Sequence, residues 1–475
     1  MTDQDLAFMP AWRQAELVRR KQVSPAELVT LYLRRIERLD PKLRAFITVC
    51  ADQALATAKE AEAQVLAGGD LPPLHGVPIS VKDLEATRGI RTTLGSRAFR
   101  DTVPDSDTIV VERVRQSGAI IVGKTSTPEL GVSLAAVTDN ALVGPCRNPW
   151  NLDCTTGGSS GGAAAAVAAG LCGLAVATDG GGSIRIPASF CGVVGLKPSQ
   201  GRVPRAGSLG RPEPNQFSQS GPITNDVRDA ALLLQVLAGP DPRDPSPELR
   251  EAPPDFLGAL DRGVRGVLCG WSADFGHGAI DPEVEAVAHH AARVFEEFGA
   301  VVEEADVRLI PALAEHFWTV YGANLSAAYG HLLDAQPTEL GEDARTLLGR
   351  GRAISGAQYA SSLRAVYELR RQMEETMRRY DLLLTPTTAV TAFPPEQRPR
   401  MIGGRQVDAV TGIYPCTFPI NMVGQPAISL PCGMLRGLPV GLQLIGRRGD
   451  ETTVLRAAAA FEHARPWKQR RPPLA

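Results

Sequence analysis

The chain has 475 residues, 44% of them apolar and 21% charged, and its 50 basic and 52 acidic side chains leave a net charge of −2. That composition is ordinary for a soluble globular protein, and a charge so near zero argues against nucleic acid or an anionic membrane surface as the principal partner. The longest apolar run, Ala163 to Thr178, is broken by glycine and falls short of the roughly 20 residues a bilayer crossing needs, so no membrane helix is expected.

In chain order, the opening MTDQDLAFMPAW starts acidic and has no basic region leading into a long apolar core, so the expected location is cytoplasmic. The first clear helix start is Ser24-Pro25-Ala26-Glu27, where Ser24 can cap, Pro25 suits the first turn and Glu27 can close a capping box. Leu28, Leu31, Ile36 and Leu39 form its apolar stripe, and Asp40-Pro41 is its predicted end. A second helix is predicted over 52–66, stopped by Gly68-Gly69.

Pro78 to Asp83 reads as a strand with a lysine near its end, and taken alone Lys82 reads as a solvated edge residue. A helix over 108–117 then leads into a buried strand over 119–123, and the same alternation returns at 281–298 and 300–302. This alternation predicts an α/β fold with a mixed, mostly parallel central sheet covered by helices on both faces. No linker divides two complete sets of elements. One domain over 1–475 is therefore expected, with 1–70 a helical segment packing on a core over 71–475.

The segment Thr155–Pro187 holds two glycine-serine knots, Gly157 to Gly162 and Gly180 to Ser183, the second directly after Asp179. Between them 163–169 should be helical and 174–178 a buried strand, so the second knot sits at a strand end, where open α/β sheets place ligands. The long loops 201–216 and 394–412, rich in proline, glycine and charge, are candidate rims of a substrate funnel or plain surface insertions. Two apolar strands, 426–431 and 439–445, and a helix capped by Asp450 close the chain.

The knots do not suit a nucleotide. Ala163-Ala164 stand where a P-loop needs Lys and Ser/Thr, and neither knot contains G-x-G-x-x-G. Gly157 to Gly161 does match a G-x-S-x-G nucleophile elbow, but no downstream histidine has an evident strand-end setting. A lysine deprived of solvent can act as base instead, with hydroxyls relaying the proton, and Lys82, Ser159 and Ser183 could form that relay. The backbone N–H groups of Gly180, Gly181, Gly182 and Ser183 would suit an oxyanion hole. None of the eight cysteines forms a C-x-x-C pair, so zinc-ligand spacing is absent. Cys191 and Cys172, close to the knots in sequence, are candidate pocket walls.

These motifs resemble the amidase signature family, the serine hydrolases with a Ser–cis-Ser–Lys triad. The resemblance runs through GVPISVKD at 76–83, NPW at 148–150, GGSSGG at 157–162 and TDGGGSIRIPASFCGVVGLKPSQGRV at 178–203. It continues to GLPVGLQLIGR near the C-terminus. By position it implies Ser183 as the acylated nucleophile, Ser159 as the cis-serine and Lys82 as the base, with Ser160, Asp179 and Arg185 in support. The family commonly has threonine or isoleucine at Gly180 and proline at Thr156.

What the resemblance implies is hydrolysis of a small-molecule amide, anilide or carbamate by a monomer or homodimer, with no metal or organic cofactor and without nucleic acid or membrane. Leu130, Gly131, Val132, Ser133 and Tyr321 are candidate pocket residues. Two other readings stay open: the amidase subunit of a tRNA-dependent amidotransferase, and a Ser-His-Asp esterase of α/β-hydrolase type.

Overall fold

The computed structural model describes residues 2–134, 136–206, 216–244, 249, 251–408 and 410–474. Eleven strands form its central sheet: β1 Phe46–Val49, β2 Pro78–Lys82, β3 Ile120–Thr125, β4 Leu174–Asp179, β5 Val194–Lys197, β6 Gln219–Thr224, β7 Leu268–Trp271, β8 Val301–Glu304, β9 Leu382–Pro386, β10 Ala427–Leu435 and β11 Leu438–Gly446. Their spatial order is β1-β3-β2-β4-β6-β5-β10-β11-β9-β7-β8.

The sheet is mixed and clad in helices, as an α/β fold requires, but antiparallel neighbours outnumber parallel ones. Only the joins β3–β2, β2–β4, β9–β7 and β7–β8 are parallel. The six others, including the whole centre from β4 to β9, are antiparallel. The helix-strand alternation that suggested a mostly parallel sheet holds only toward its two ends. In the middle, β10 and β11 close a hairpin through Arg436 (φ 51°) and Gly437 (φ 79°). Two consecutive left-handed residues suit the tight turn whose twist matches a hairpin.

Helix starts follow their caps. Ser24 Oγ accepts from Glu27 N while the Glu27 carboxylate accepts from Ser24 N, and the helix Pro25–Leu43 follows. It does not stop at Asp40-Pro41. Pro41 is exposed on the last turn, where water can satisfy the carbonyl that proline leaves without a donor, and the helix ends only at left-handed Arg44. Asp40 instead receives the next backbone groups, Ala45 N at 2.7 Å and Phe46 N at 3.3 Å.

The period-two pattern of the strands builds apolar layers on both faces of the sheet. Leu174 and Val176 of β4 join Ile79 and Val81 of β2 in one core, whereas Ala175 and Ala177 face the other with Ala163 to Ala169. Alternation therefore puts Lys82 of β2 on the same face as the alanine helix Gly161–Ala168. No described helix is long and apolar enough to cross a membrane.

Candidate active site

The ends of β2 and β4 and the starts of two short helices converge. Lys82 closes β2 and is fully buried. The first knot turns into helix Gly161–Ala168, and the peptide between Gly158 and Ser159 is cis. Gly157 (φ 78°) occupies the left-handed region that favours glycine, and Thr138 Oγ1 braces the turn from outside. It donates to Gly157 O at 2.8 Å and accepts from Gly161 N at 3.1 Å. The second knot follows β4 and leads into helix Arg185–Cys191.

Lys82 Nζ donates to Ser159 Oγ at 2.7 Å, Ser160 Oγ at 2.8 Å and Thr178 Oγ1 at 2.9 Å, and it lies 3.4 Å from Thr178 O. Ser160 Oγ in turn donates to Thr178 O at 3.1 Å, and Ser160 N donates to Ser183 O at 3.1 Å. Lys82 thus ties the first knot to the end of β4, and the Ser160 backbone ties it to Ser183. The amine is surrounded by hydroxyl groups that can accept and pass on a proton.

Asp179 organises the second knot. Its carboxylate takes both Nε and Nη2 of Arg185 at 2.9 Å, in the forked geometry that makes such pairs strong. Arg185 also donates to Gln443 Oε1 and Asn421 Oδ1, both at 2.6 Å, and Asn421 Nδ2 donates to Asp179 Oδ1 at 2.9 Å. Burial opposes ionisation of Asp179, but the Arg185 guanidinium, Lys197 and Asn421 outweigh it and hold the carboxyl well below its ordinary range.

Asp179 Oδ1 also accepts from Gly182 N at 2.7 Å. This corrects the expectation that all four N–H groups of the knot face an oxyanion, since that of Gly182 is spent on shaping the turn. Gly182 itself has a φ of 130°, and a Cβ there would strike Thr417. Among the described residues the N–H groups of Gly180, Gly181 and Ser183 have no such internal acceptor.

A two-lobed cavity opens over Ser159 and Ser183. One lobe, about 740 Å³ including its open mouth, is mixed in character and is walled by Leu84, Glu85, Thr108, Thr178, Gly180 and Arg205 among others. The second, about 390 Å³, is walled by Val132, Ile186, Phe317, Trp318, Tyr321 and Tyr414. Glu85 is buried and accepts from Thr108 Oγ1 at 2.9 Å and Ser220 Oγ at 2.7 Å.

The family model described as Amidase matches residues 27–455. The chain belongs to the amidase family. It is 37% identical to an acylamidase of Rhodococcus erythropolis, over 99% of this chain and 98% of the relative. It is also 39% identical to a glutamyl-tRNA(Gln) amidotransferase subunit from Moorella thermoacetica, over 99% of both chains. Among solved structures, a bacterial aryl acylamidase of the amidase signature enzymes superposes with a TM-score of 0.91 at 35% identity, over 97% of each chain. A 6-aminohexanoate cyclic dimer hydrolase does so with a TM-score of 0.86 at 30% identity, over 98% of this chain and 99% of the other.

In this amidase Leu130, Gly131, Val132, Ser133 and Tyr321 all line the cavity. Cys191 does not. It closes the helix after the second knot, its thiol 3.7 Å from Thr156 O, and burial pushes that thiol far above its ordinary pKa. Cys172 is likewise buried, beside Ser80 Oγ at 3.2 Å. Of the loop 394–412, the described residues fold partly into a small hairpin, Met401–Ile402 with Arg405–Gln406, and none lines the cavity. Residues 207–215 of the other loop lie outside the described residues, but Pro204, Arg205 and Ala206 wall the mixed lobe.

None of the seven histidines, all of them among the described residues, lines the cavity, which removes the base that a nucleophile-elbow esterase would need. His75 is buried with Nε2 3.0 Å from Ala61 O, a structural contact. Sequence reasoning missed Phe317, Trp318, Tyr414, Glu85 and Thr178. The only signal for the first two was the aromatic pair opening the helix Leu313–Tyr329.

Proposed function

We propose that this amidase hydrolyses a C–N acyl bond of a small linear amide through an acyl-enzyme on Ser183, with Lys82 as base acting through Ser159. The observation that carries the reading is the 2.7 Å contact of the buried Lys82 amine with Ser159 Oγ, at the floor of the cavity that Ser183 also lines. Lys82 in its neutral form takes the Ser159 proton as Ser159 takes that of Ser183. The Ser183 Oγ–carbon bond forms, and the developing oxyanion is held by the N–H groups of Gly180, Gly181 and Ser183. The proton returns by the same route to the nitrogen as the C–N bond breaks and the amine departs. Water then attacks the ester, its proton taken by the same relay, and frees the acid and Ser183. Carbamates and esters present the same carbonyl to the same groups and belong to the proposed range.

Ser183→Ala is expected to lose roughly 10⁴-fold or more in kcat, and Lys82→Ala roughly 10²–10⁴-fold, the span of a general base. A fluorophosphonate should label wild-type protein at Ser183 alone. Turnover near wild type in Ser183→Ala would overturn the assignment.

A second reading is the amidase component of a tRNA-dependent amidotransferase, favoured by the end-to-end match, at 39% identity, to a protein of that kind. Copurification of a partner, with glutaminase activity only in its presence, would select that reading over a free-standing amidase.

A further inference from the structure

A second groove shares no lining residue with the two-lobed cavity. It lies where the helix Gly356–Arg379 meets Val423, Gln425 and the turn after β11, and it encloses about 960 Å³ including its open mouth. The chain as a whole carries a net charge of only −2, yet this lining gathers four arginines, Arg370, Arg378, Arg447 and Arg448, against one acid, Glu374. Helical spacing accounts for part of the cluster. Arg370, Glu374 and Arg378 follow one another at four-residue steps and so share one face of the helix.

Two of the guanidiniums are held in place by the protein itself. Arg370 donates from Nε to Met422 O at 3.1 Å and from Nη2 to Gln200 Oε1 at 2.9 Å. Arg447 donates to Met377 O at 2.9 Å and Tyr380 O at 3.0 Å, and its Nη2 pairs with Asp381 Oδ1 at 2.9 Å. Arg378, by contrast, is exposed and has no hydrogen-bond or ion-pair partner among the described residues. Several guanidiniums around one groove suit a multiply charged anion, because their planar donors match phosphate oxygens.

The rest of the lining is different in kind. Met373, Met377 and Val423 are apolar and buried, and Gln425 is 3% exposed with an Oε1 that accepts no hydrogen bond. A buried acceptor without a partner carries a penalty that a ligand's N–H or O–H would remove. Inorganic phosphate has no apolar surface for the methionines, and a simple carboxylate has no donor for Gln425. A nucleoside phosphate has anionic oxygens for the arginines, a flat base for the methionine sulfurs and an amine that can donate to Gln425 Oε1.

We propose that this groove binds a nucleoside phosphate, with Arg378 on the phosphates and Gln425 on the base. The proposal does not depend on the acyl-enzyme reading given above.

Isothermal titration of the whole protein, free of divalent cations, tests it with ATP and tripolyphosphate as the two probes. ATP should bind saturably and at least about tenfold more tightly than tripolyphosphate. Arg378→Glu should weaken both probes about tenfold or more, whereas Gln425→Leu should weaken ATP about tenfold and leave tripolyphosphate unchanged. Gln425→Leu takes away an unpaired amide oxygen and Arg378 is exposed, so both variants should keep the wild-type thermal midpoint and rate of amide hydrolysis. Equal affinities for the two probes, or ATP binding that Gln425→Leu leaves in place, overturns the nucleoside assignment. No saturable binding of ATP, or binding that Arg378→Glu leaves in place, overturns the site itself.

Discussion

Asp179 carries more of the site's shape than any group that touches substrate. One buried carboxylate receives Arg185 through two bonds, the Gly182 N–H and the Asn421 amide. Removing one partner of a buried ion pair leaves an unpaired charge in the interior, which costs about 3–5 kcal/mol. Arg185→Met is therefore expected to lower the urea midpoint by that equivalent and also to lower kcat, since the turn that presents Ser183 loses its anchor. A variant with wild-type midpoint and kcat would contradict the role. That Lys82 would meet Ser159 was legible from the two glycine-serine knots and the family resemblance they carry. Asp179's claim on Gly182 was not, because a sequence does not show which N–H groups a nearby carboxylate consumes. Nor did the pattern around Cys191 show that its thiol points away from the cavity.

At the level of elements, the alanine helix Gly161–Ala168 works by being thin. A Cβ at Gly162 would strike Ala45 O and the Ser126 backbone, so the helix start sits directly on the chain where it enters β1 and leaves β3. Gly162→Ala is expected to cost about 1–3 kcal/mol through overpacking, and to reduce kcat by shifting Ser159 away from Lys82. Thermal unfolding and steady-state rates measure the two effects, and a stable, fully active variant would show that the contact yields. The small side chains of this helix were legible as helical but not as a spacing device. The aromatic helix Leu313–Tyr329 was harder still, because aromatics at helical spacing usually mark a core, and Phe317 does serve one. The central antiparallel joins escaped notice for a related reason, since helix-strand alternation says nothing about hairpins formed elsewhere in the chain.

Over the whole molecule, two buried lysines outside the proposed relay set the response to pH. Burial, with Arg185 nearby, lowers Lys197 to about 7, and burial lowers Lys124 to about 8. In the unfolded chain both hold their protons up to about 10.4. Folding therefore releases protons above pH 7, and stability should rise with pH. From about pH 8 a countercurrent sets in, because buried thiols such as Cys172, pushed up to about 12, stay protonated while their unfolded counterparts ionise. The lysine contribution is therefore read as a difference, and the urea stability of wild type relative to Lys197→Met is expected to rise between about pH 7.5 and 9. A difference that stays constant over that range would refute it.

The Asp179–Arg185 anchor has one more consequence, in the order of biosynthesis. Its outer bonds reach Asn421 and Gln443, and β5, which follows the helix that Arg185 begins, pairs with β10. The turn that carries Ser183 is made before the chain is half complete, yet its supports lie far toward the other end of the chain. The proposed site can therefore be complete only once the closing hairpin has folded in, so a nascent or C-terminally truncated chain carries Ser183 without its anchor.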